Sequence, residues 1–80
     1  MAPPIKQFDR VRILALRDTH ASSLVGSRSP QVGDIATVVD LYDHPPGYEL
    51  ECATPQGETL WLESFADDEV SLELVGELRG

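Results

Sequence analysis

The sequence predicts an all-β domain, a small barrel of about five short and mostly antiparallel strands. Glycine and proline recur at short intervals along the 80 residues, and the runs between them are rich in Val, Ile, Leu, Thr, Tyr and Trp. That spacing and composition are typical of strands, and helical periodicity is nearly absent. Because a chain of this length holds one domain, its core, its site and its partner surface must share one fold.

Five segments have strand character. Residues 9–16 (DRVRILAL) come first, followed by the most β-branched run, residues 35–42 (IATVVDLY). The third and fourth, residues 48–53 (YELECA) and 58–63 (ETLWLE), are joined by TPQG, where proline presets one dihedral angle and glycine accepts a positive φ. Residues 70–74 (VSLEL) form the fifth. The adjacent Val38 and Val39 break the alternation, which predicts a long, bent second strand.

The connections complete the fold prediction. Residues 17–32 form a long segment of small and polar residues, and residues 43–47 (DHPPG) form a rigid turn. One helical turn is expected at residues 64–68, with Ser64 as its cap. A long first connection followed by tight hairpins indicates an SH3-like barrel. We expect a single domain over residues 5–75, with residues 1–4 and 76–80 frayed.

Alternation also divides the later strands into two sides. The core side is expected to carry Leu50, Cys52, Leu60, Leu62, Val70, Leu72 and Leu74. The opposite, acidic side is expected to carry Glu49, Glu51, Thr59, Trp61, Glu63, Ser71 and Glu73.

The charge balance limits the classes of partner. Six Lys and Arg against fourteen Asp and Glu give a net charge of −8, which makes nonspecific nucleic-acid binding unfavourable. The asymmetry is strongest in residues 41–80, where Arg79 is the only basic residue beside ten carboxylates. A partner protein with a basic surface fits this balance better than a phosphate backbone.

Sequence features also predict the compartment. The single cysteine excludes an internal disulfide, and the start MAPP lacks the pattern of a secretion signal. No run approaches the roughly 20 apolar residues that a membrane helix needs. We therefore expect a cytoplasmic protein without a membrane segment.

Residues capable of chemistry are few and poorly spaced. His20 and His44 are the only histidines, and neither belongs to a metal-ligand or nucleophile–base pattern with Cys52. Both are interpreted as exposed loop residues, and Cys52 as a small, buried and inert core residue. We expect no catalytic, metal or cofactor site, and an enzyme using Cys52 or a histidine is only a third hypothesis.

The basic residues of the first strand give the second hypothesis. Arg10, Arg12 and Arg17 are the only basic cluster and could bind nucleic acid, although three arginines release few counterions. Pairing of these arginines with Asp9, Asp34 or Asp40 of neighbouring strands is favoured instead.

The leading hypothesis is a noncatalytic protein-interaction module with an accessory, regulatory or toxin-neutralising role. If its strand is regular, Trp61 points outward and anchors an interface; a bulge or the long first loop would instead cover it. The candidate binding residues are Trp61, Glu49, Glu51, Glu63, His20 and Leu24. Like charges facing each other across a two-fold axis favour a monomer over a homodimer.

Four segments carry a family resemblance: residues 8–11 (FDRV), 33–39 (GDIATVV), 48–52 (YELEC) and 56–59 (QGET). Together they resemble a family of small bacterial proteins of unknown function, whose pattern is close to FD-x-V … G-x-x-GTVV … YEVEF … GxT. The chain departs at Ala36, where a second glycine is usual, at Cys52, where an aromatic is usual, and in a longer first loop. The resemblance implies an SH3-like barrel without assigned catalytic residues.

Overall fold

The computed structural model describes residues 5–17 and 26–77 as one five-stranded sheet without a helix. Its strands are β1 (Asp9–Leu16), β2 (Ile35–Asp43), β3 (Pro46–Ala53), β4 (Thr59–Ala66) and β5 (Val70–Glu77). The all-β prediction is confirmed, and β1 has the bounds expected from the sequence. The hairpin turn between β3 and β4 is also confirmed, with the Gly57 N–H donating to the Thr54 carbonyl at 2.8 Å.

The strand order is β4-β3-β2-β1-β5, with every neighbouring pair antiparallel. The two outermost strands of this order, β4 and β5, are consecutive in sequence and joined only by the turn at residues 67–69. So short a connection requires the sheet to curl until its edges approach each other. The fold is therefore an SH3-like small barrel.

Bulges give the strands their curvature. In β2 the register shifts between Val38 and Asp40, which leaves Val39 as an extra residue and confirms the expected bent strand. In β4, Cys52 faces Trp61 but Ala53 faces Thr59, so Leu60 is extra. Strand β1 shifts similarly at Leu14.

The bulge at Leu60 reverses the predicted faces of β4, since each extra residue turns the side chains beyond it to the other side. Trp61 is buried and pairs in register with buried Cys52, whereas Leu62 pairs with Glu51 on the outer side. The expectation that Leu62 faces the core and Trp61 faces solvent is therefore wrong. The same expectation for Leu50 and Cys52 of β3 is confirmed, since both are buried.

The core lies between the curled halves of the sheet. Its fully buried side chains are Trp61, Phe65, Ile13, Leu50, Val11 and Val38. The Trp61 and Phe65 rings meet edge to face, with centroids 6.2 Å apart and planes at 84°. Burying each large apolar side chain contributes about 1.5 to 3 kcal/mol.

Four strands, β2 to β5, run longer than predicted. The helical turn expected at residues 64–68 is wrong: β4 continues to Ala66, because Phe65 is needed in the core and pairs with Tyr48. Strand β3 begins at Pro46, and β5 continues through Glu77, which pairs with Asp9. The fraying expected at residues 76–80 is wrong for Gly76 and Glu77, which pair with β1; residues 1–4 and 78–80 lie outside the described residues.

Candidate functional site

Trp61 is not an interface anchor. Its side chain is 0% exposed, and its indole Nε1 donates to Asp34 Oδ2 at 2.8 Å. Besides the bulge at Leu60, the end of the long first connection lies against this part of β4, where Gly26 bridges Trp61 and Arg28 N donates to the Leu60 carbonyl. The interface hypothesis for Trp61 is wrong, and the covered alternative is correct.

Asp34 is the centre of a polar cluster around that indole. It binds Arg28 in a bidentate pair, with Nη1 to Oδ2 and Nη2 to Oδ1 both at 2.9 Å. The Gln31 backbone N–H also donates to Oδ2 at 2.9 Å. We call Arg28, Gln31, Asp34 and Trp61 the Asp34 cluster. The Asp34 carboxylate accepts hydrogen bonds from Arg28, from the Gln31 backbone and from the Trp61 indole. The cluster therefore fixes residues 26–34 onto the barrel.

Ionisation in the Asp34 cluster follows from these contacts. Burial by itself raises the pKa of Asp34, but hydrogen bonds from Arg28, Trp61 and the Gln31 backbone outweigh it and hold that pKa below its usual value. Burial raises the pKa of the Cys52 thiol, and the charge of Asp34 raises it further. A neutral thiol with 5% exposure is a weak nucleophile, which agrees with a structural role for Cys52.

The candidate acidic residues do not form one patch. Glu49 and Glu51 lie on the outer side of β3, where Glu49 accepts from the Tyr42 hydroxyl at 3.2 Å and Glu51 from Thr59 Oγ1 at 2.7 Å. Glu63 pairs in register with buried Leu50 and so belongs to the opposite side of the sheet. Its predicted place beside Glu49 and Glu51 is wrong, for the same reason as that of Trp61. His20 and Leu24 lie outside the described residues.

The arginines of the first strand do not form a free basic surface. Arg12 pairs with Glu73 of β5, with Nη1 and Oε1 2.7 Å apart. Arg17 follows the end of β1, remote along the strand from Arg10. Asp34 pairs with Arg28 and not with the first-strand arginines, and buried Asp9 accepts a hydrogen bond from the Lys6 backbone. The expected pairing is therefore wrong for Arg12, whose partner is Glu73, and for Asp34, whose partner is Arg28.

A groove of about 300 Å³ lies where the β2–β3 hairpin meets the end of β4. Side chains from three strands and one turn line it, among them Tyr42, His44, Pro45, Pro46, Ser64 and Ala66. We call it the hairpin groove. The His44–Pro45 peptide bond in its wall is cis.

Gly47 brings the hairpin against β4. It pairs with Tyr42 on one side and with Ala66 on the other, and a Cβ at this position would collide with the Phe65 carbonyl oxygen. The backbones can approach this closely only without a side chain. The groove is thus built on a fixed backbone frame.

The strands that build the hairpin groove are acidic. Residues 35–77, which include β2 to β5, contain eleven carboxylates and no Lys or Arg. Among these carboxylates, Glu49 accepts a hydrogen bond from the lining residue Tyr42. The groove therefore has one carboxylate bonded to its lining and lies in an acidic part of the chain.

Tyr42, Pro46 and Ser64 are not among the site residues that the sequence predicts, although all three line the groove. The DHPPG turn beside a tyrosine, in the acidic half of the chain, is the one sequence feature that marks this region. That feature cannot predict the groove, because Ser64 and Ala66 reach the hairpin only through the pairing of β3 with β4.

Two further findings concern the described residues alone. No group of three or more His, Cys, Asp and Glu side chains in residues 5–17 and 26–77 is arranged to hold a metal ion. No helix in the same residues is long and apolar enough to cross a membrane.

The chain was compared with protein-family models, with curated proteins and with solved structures. None of the three comparisons gave a match.

Proposed function

We propose that this domain is a noncatalytic protein-interaction module that binds a segment of another protein in the hairpin groove. The observation that carries the proposal is the groove itself, an apolar depression on a fixed backbone frame whose lining residue Tyr42 donates to Glu49. Pockets with an apolar lining and a few convergent polar groups are the usual binding sites of proteins. The module takes an accessory, regulatory or toxin-neutralising role in the cytoplasm.

The chemistry of the described residues supports binding over catalysis. Cys52 is buried with a raised pKa, which suppresses the thiolate that a nucleophile requires. Asp34 is occupied by Arg28 and Trp61, so it has no position for a substrate. His44 and Ser64 both line the groove, but within the described residues the hydrogen-bond partner of the Ser64 hydroxyl is Tyr42 and not the imidazole.

Nucleic-acid binding has less support. Arg12 is paired with Glu73, and β1 lies between the acidic strands β2 and β5. A phosphate-binding surface would retain the protein on heparin and release it with salt. We expect the domain to pass through heparin at low salt, and salt-dependent retention would favour the alternative.

A random peptide library displayed on phage tests the proposal. Clones selected on the wild-type domain are measured again on Ser64→Tyr, which fills the groove from an exposed position of β4. The matched control is Gln56→Tyr, which adds the same side chain to the exposed β3–β4 turn.

We expect selected clones to bind wild type and Gln56→Tyr equally and to lose about tenfold or more in affinity on Ser64→Tyr. Far-UV circular dichroism checks that both variants are folded. Absence of enriched clones, or equal binding to Ser64→Tyr, would refute the groove as the binding site. The resemblance to a family of small bacterial proteins stays a prediction and supplies no residue to this proposal.

A further inference from the structure

We infer that the segment bound in the hairpin groove carries a lysine or arginine beside an apolar residue, with the cation held by the Tyr42 ring and the Glu49 carboxylate. This inference rests on the proposed function and adds the chemistry of the ligand. It makes the groove selective for one short pattern of side chains.

Tyr42 and Glu49 already form a unit at the edge of the groove. The Tyr42 hydroxyl lies 3.2 Å from Glu49 Oε1 and 3.5 Å from Ser64 Oγ, which holds the ring in place. The tyrosine is 39% exposed, so part of its ring is available to a ligand. Aromatic faces attract Lys and Arg cations, and a neighbouring carboxylate strengthens the attraction.

Glu49 lacks the cation that the protein supplies to comparable carboxylates. Asp34 is paired with Arg28, and Glu73 with Arg12. Within the described residues, Glu49 accepts only one hydrogen bond, a long one of 3.2 Å from the Tyr42 hydroxyl. The chain therefore leaves this carboxylate for a positive charge from outside.

The surrounding field favours the same ligand. Residues 35–77 contain eleven carboxylates and no Lys or Arg to oppose an incoming cation, and His44 is their one histidine. Acidic surfaces of this kind accelerate encounter with basic partners.

The inner part of the groove is the reason why we expect an apolar residue beside the cation of the bound segment. Pro45, Pro46 and Ala66 line it, and its volume of about 300 Å³ is at the lower end for ligand pockets. It has room for a few side chains of a peptide. A bound metal ion is disfavoured, because no group of three or more His, Cys, Asp and Glu side chains within residues 5–17 and 26–77 is arranged to hold one.

The test uses peptides from the groove-dependent phage clones, synthesised with their Lys or Arg and with citrulline or glutamine in that place. Affinities are measured by fluorescence anisotropy on wild type, on Glu49→Gln and on Glu58→Gln. Glu58 is an exposed carboxylate in the β3–β4 turn, so its variant controls for the loss of one charge.

We expect the neutral peptide and Glu49→Gln each to lose about tenfold in affinity, equivalent to about 1.4 kcal/mol. Combined, the two changes should lose little more than either alone, because both remove the same contact. Glu58→Gln should lose less than about twofold. Tyr42→Leu should lose several-fold, whereas Tyr42→Phe, which keeps the ring, should lose less.

The outcomes separate the two proposals. If clones depend on the groove but bind equally well with citrulline, or if the two losses are simply additive, the cation inference is refuted and the proposed function stands. If no clone depends on the groove, both are refuted. If sedimentation shows a dimer that Glu49→Gln dissociates, the occupant is a second copy of this chain and the inference of a foreign segment is wrong.

Discussion

The Asp34 cluster and the hairpin groove each contain a carboxylate that accepts a hydrogen bond from an aromatic side chain, but they differ in burial and in whether a cation pairs with the carboxylate. In the cluster, Trp61 and Arg28 both donate to Asp34, and the indole is fully buried. In the groove, Tyr42 donates to Glu49 at the surface, and no described arginine or lysine completes the set. The cluster has its own cation, whereas the groove has none.

The difference teaches which of the two sites is structural. The Asp34 carboxylate already accepts hydrogen bonds from the protein and has no position for a ligand. These bonds fix the segment before β2 to the barrel. An exposed carboxylate and ring without a cation contribute little to folding, since exposed polar contacts stabilise weakly. Substitutions should therefore affect stability in the cluster and binding in the groove.

The largest expected effect is that of Trp61→Ala. Removing a fully buried tryptophan should cost about 3 to 5 kcal/mol, most of the stability of a small domain. Urea denaturation followed by far-UV circular dichroism measures it, since the single tryptophan is no longer a fluorescent probe. If the variant were as stable as wild type, Trp61 would not belong to the core, and the structural role assigned to the Asp34 cluster would be wrong.

Asp34→Asn should have the next largest effect. The asparagine cannot pair with the Arg28 charge, and we expect a loss of about 1 to 3 kcal/mol. Arg12→Ala is the matched control: its ion pair with Glu73 is about half exposed, so it should cost less than about 1 kcal/mol. Equal losses in urea denaturation would contradict a special role for the cluster.

Gly47→Ala should destabilise the frame of the groove by about 1 to 3 kcal/mol, the usual cost of overpacking, because its Cβ meets the Phe65 carbonyl. Gly76→Ala is the control, since a Cβ there has no neighbour within 4 Å. Thermal unfolding of both variants measures the difference. Similar midpoints would show that the hairpin can move away from β4.

Acid should weaken the cluster selectively. Because the pKa of Asp34 is lower in the folded state than its ordinary 3.8, its contribution to stability is present above that value and is lost as the pH falls through the folded pKa. Urea denaturation from pH 6 to pH 2.5 should show a smaller decline for Asp34→Asn than for wild type. Parallel curves would mean that other carboxylates cause the acid sensitivity.

The smallest effect on stability is expected for Glu49→Gln. The glutamine can still accept from the Tyr42 hydroxyl, so unfolding should change by less than about 0.5 kcal/mol while peptide affinity falls. Denaturation and anisotropy on the same sample provide both values. A large loss of stability would assign Glu49 a structural role like that of Asp34.

Local sequence predicted that five strands exist and which side of β3 is buried. Alternation over residues 48–53 is a local property, and the TPQG turn fixes its hairpin through residues that are adjacent in the chain. The same local pattern predicted that Leu50 and Cys52 are buried, which the structure confirms.

Only the tertiary structure decided the orientation of Trp61 and the existence of the groove. The extra residue Leu60 turns the indole inward, and such a bulge depends on how β4 bends to meet β3 and residues 26–28. The groove joins Tyr42, Pro46 and Ser64 from three strands, and its backbone contact at Gly47 forms only when those strands pair. Local alternation cannot predict either feature, because both arise where a curved sheet brings distant segments together.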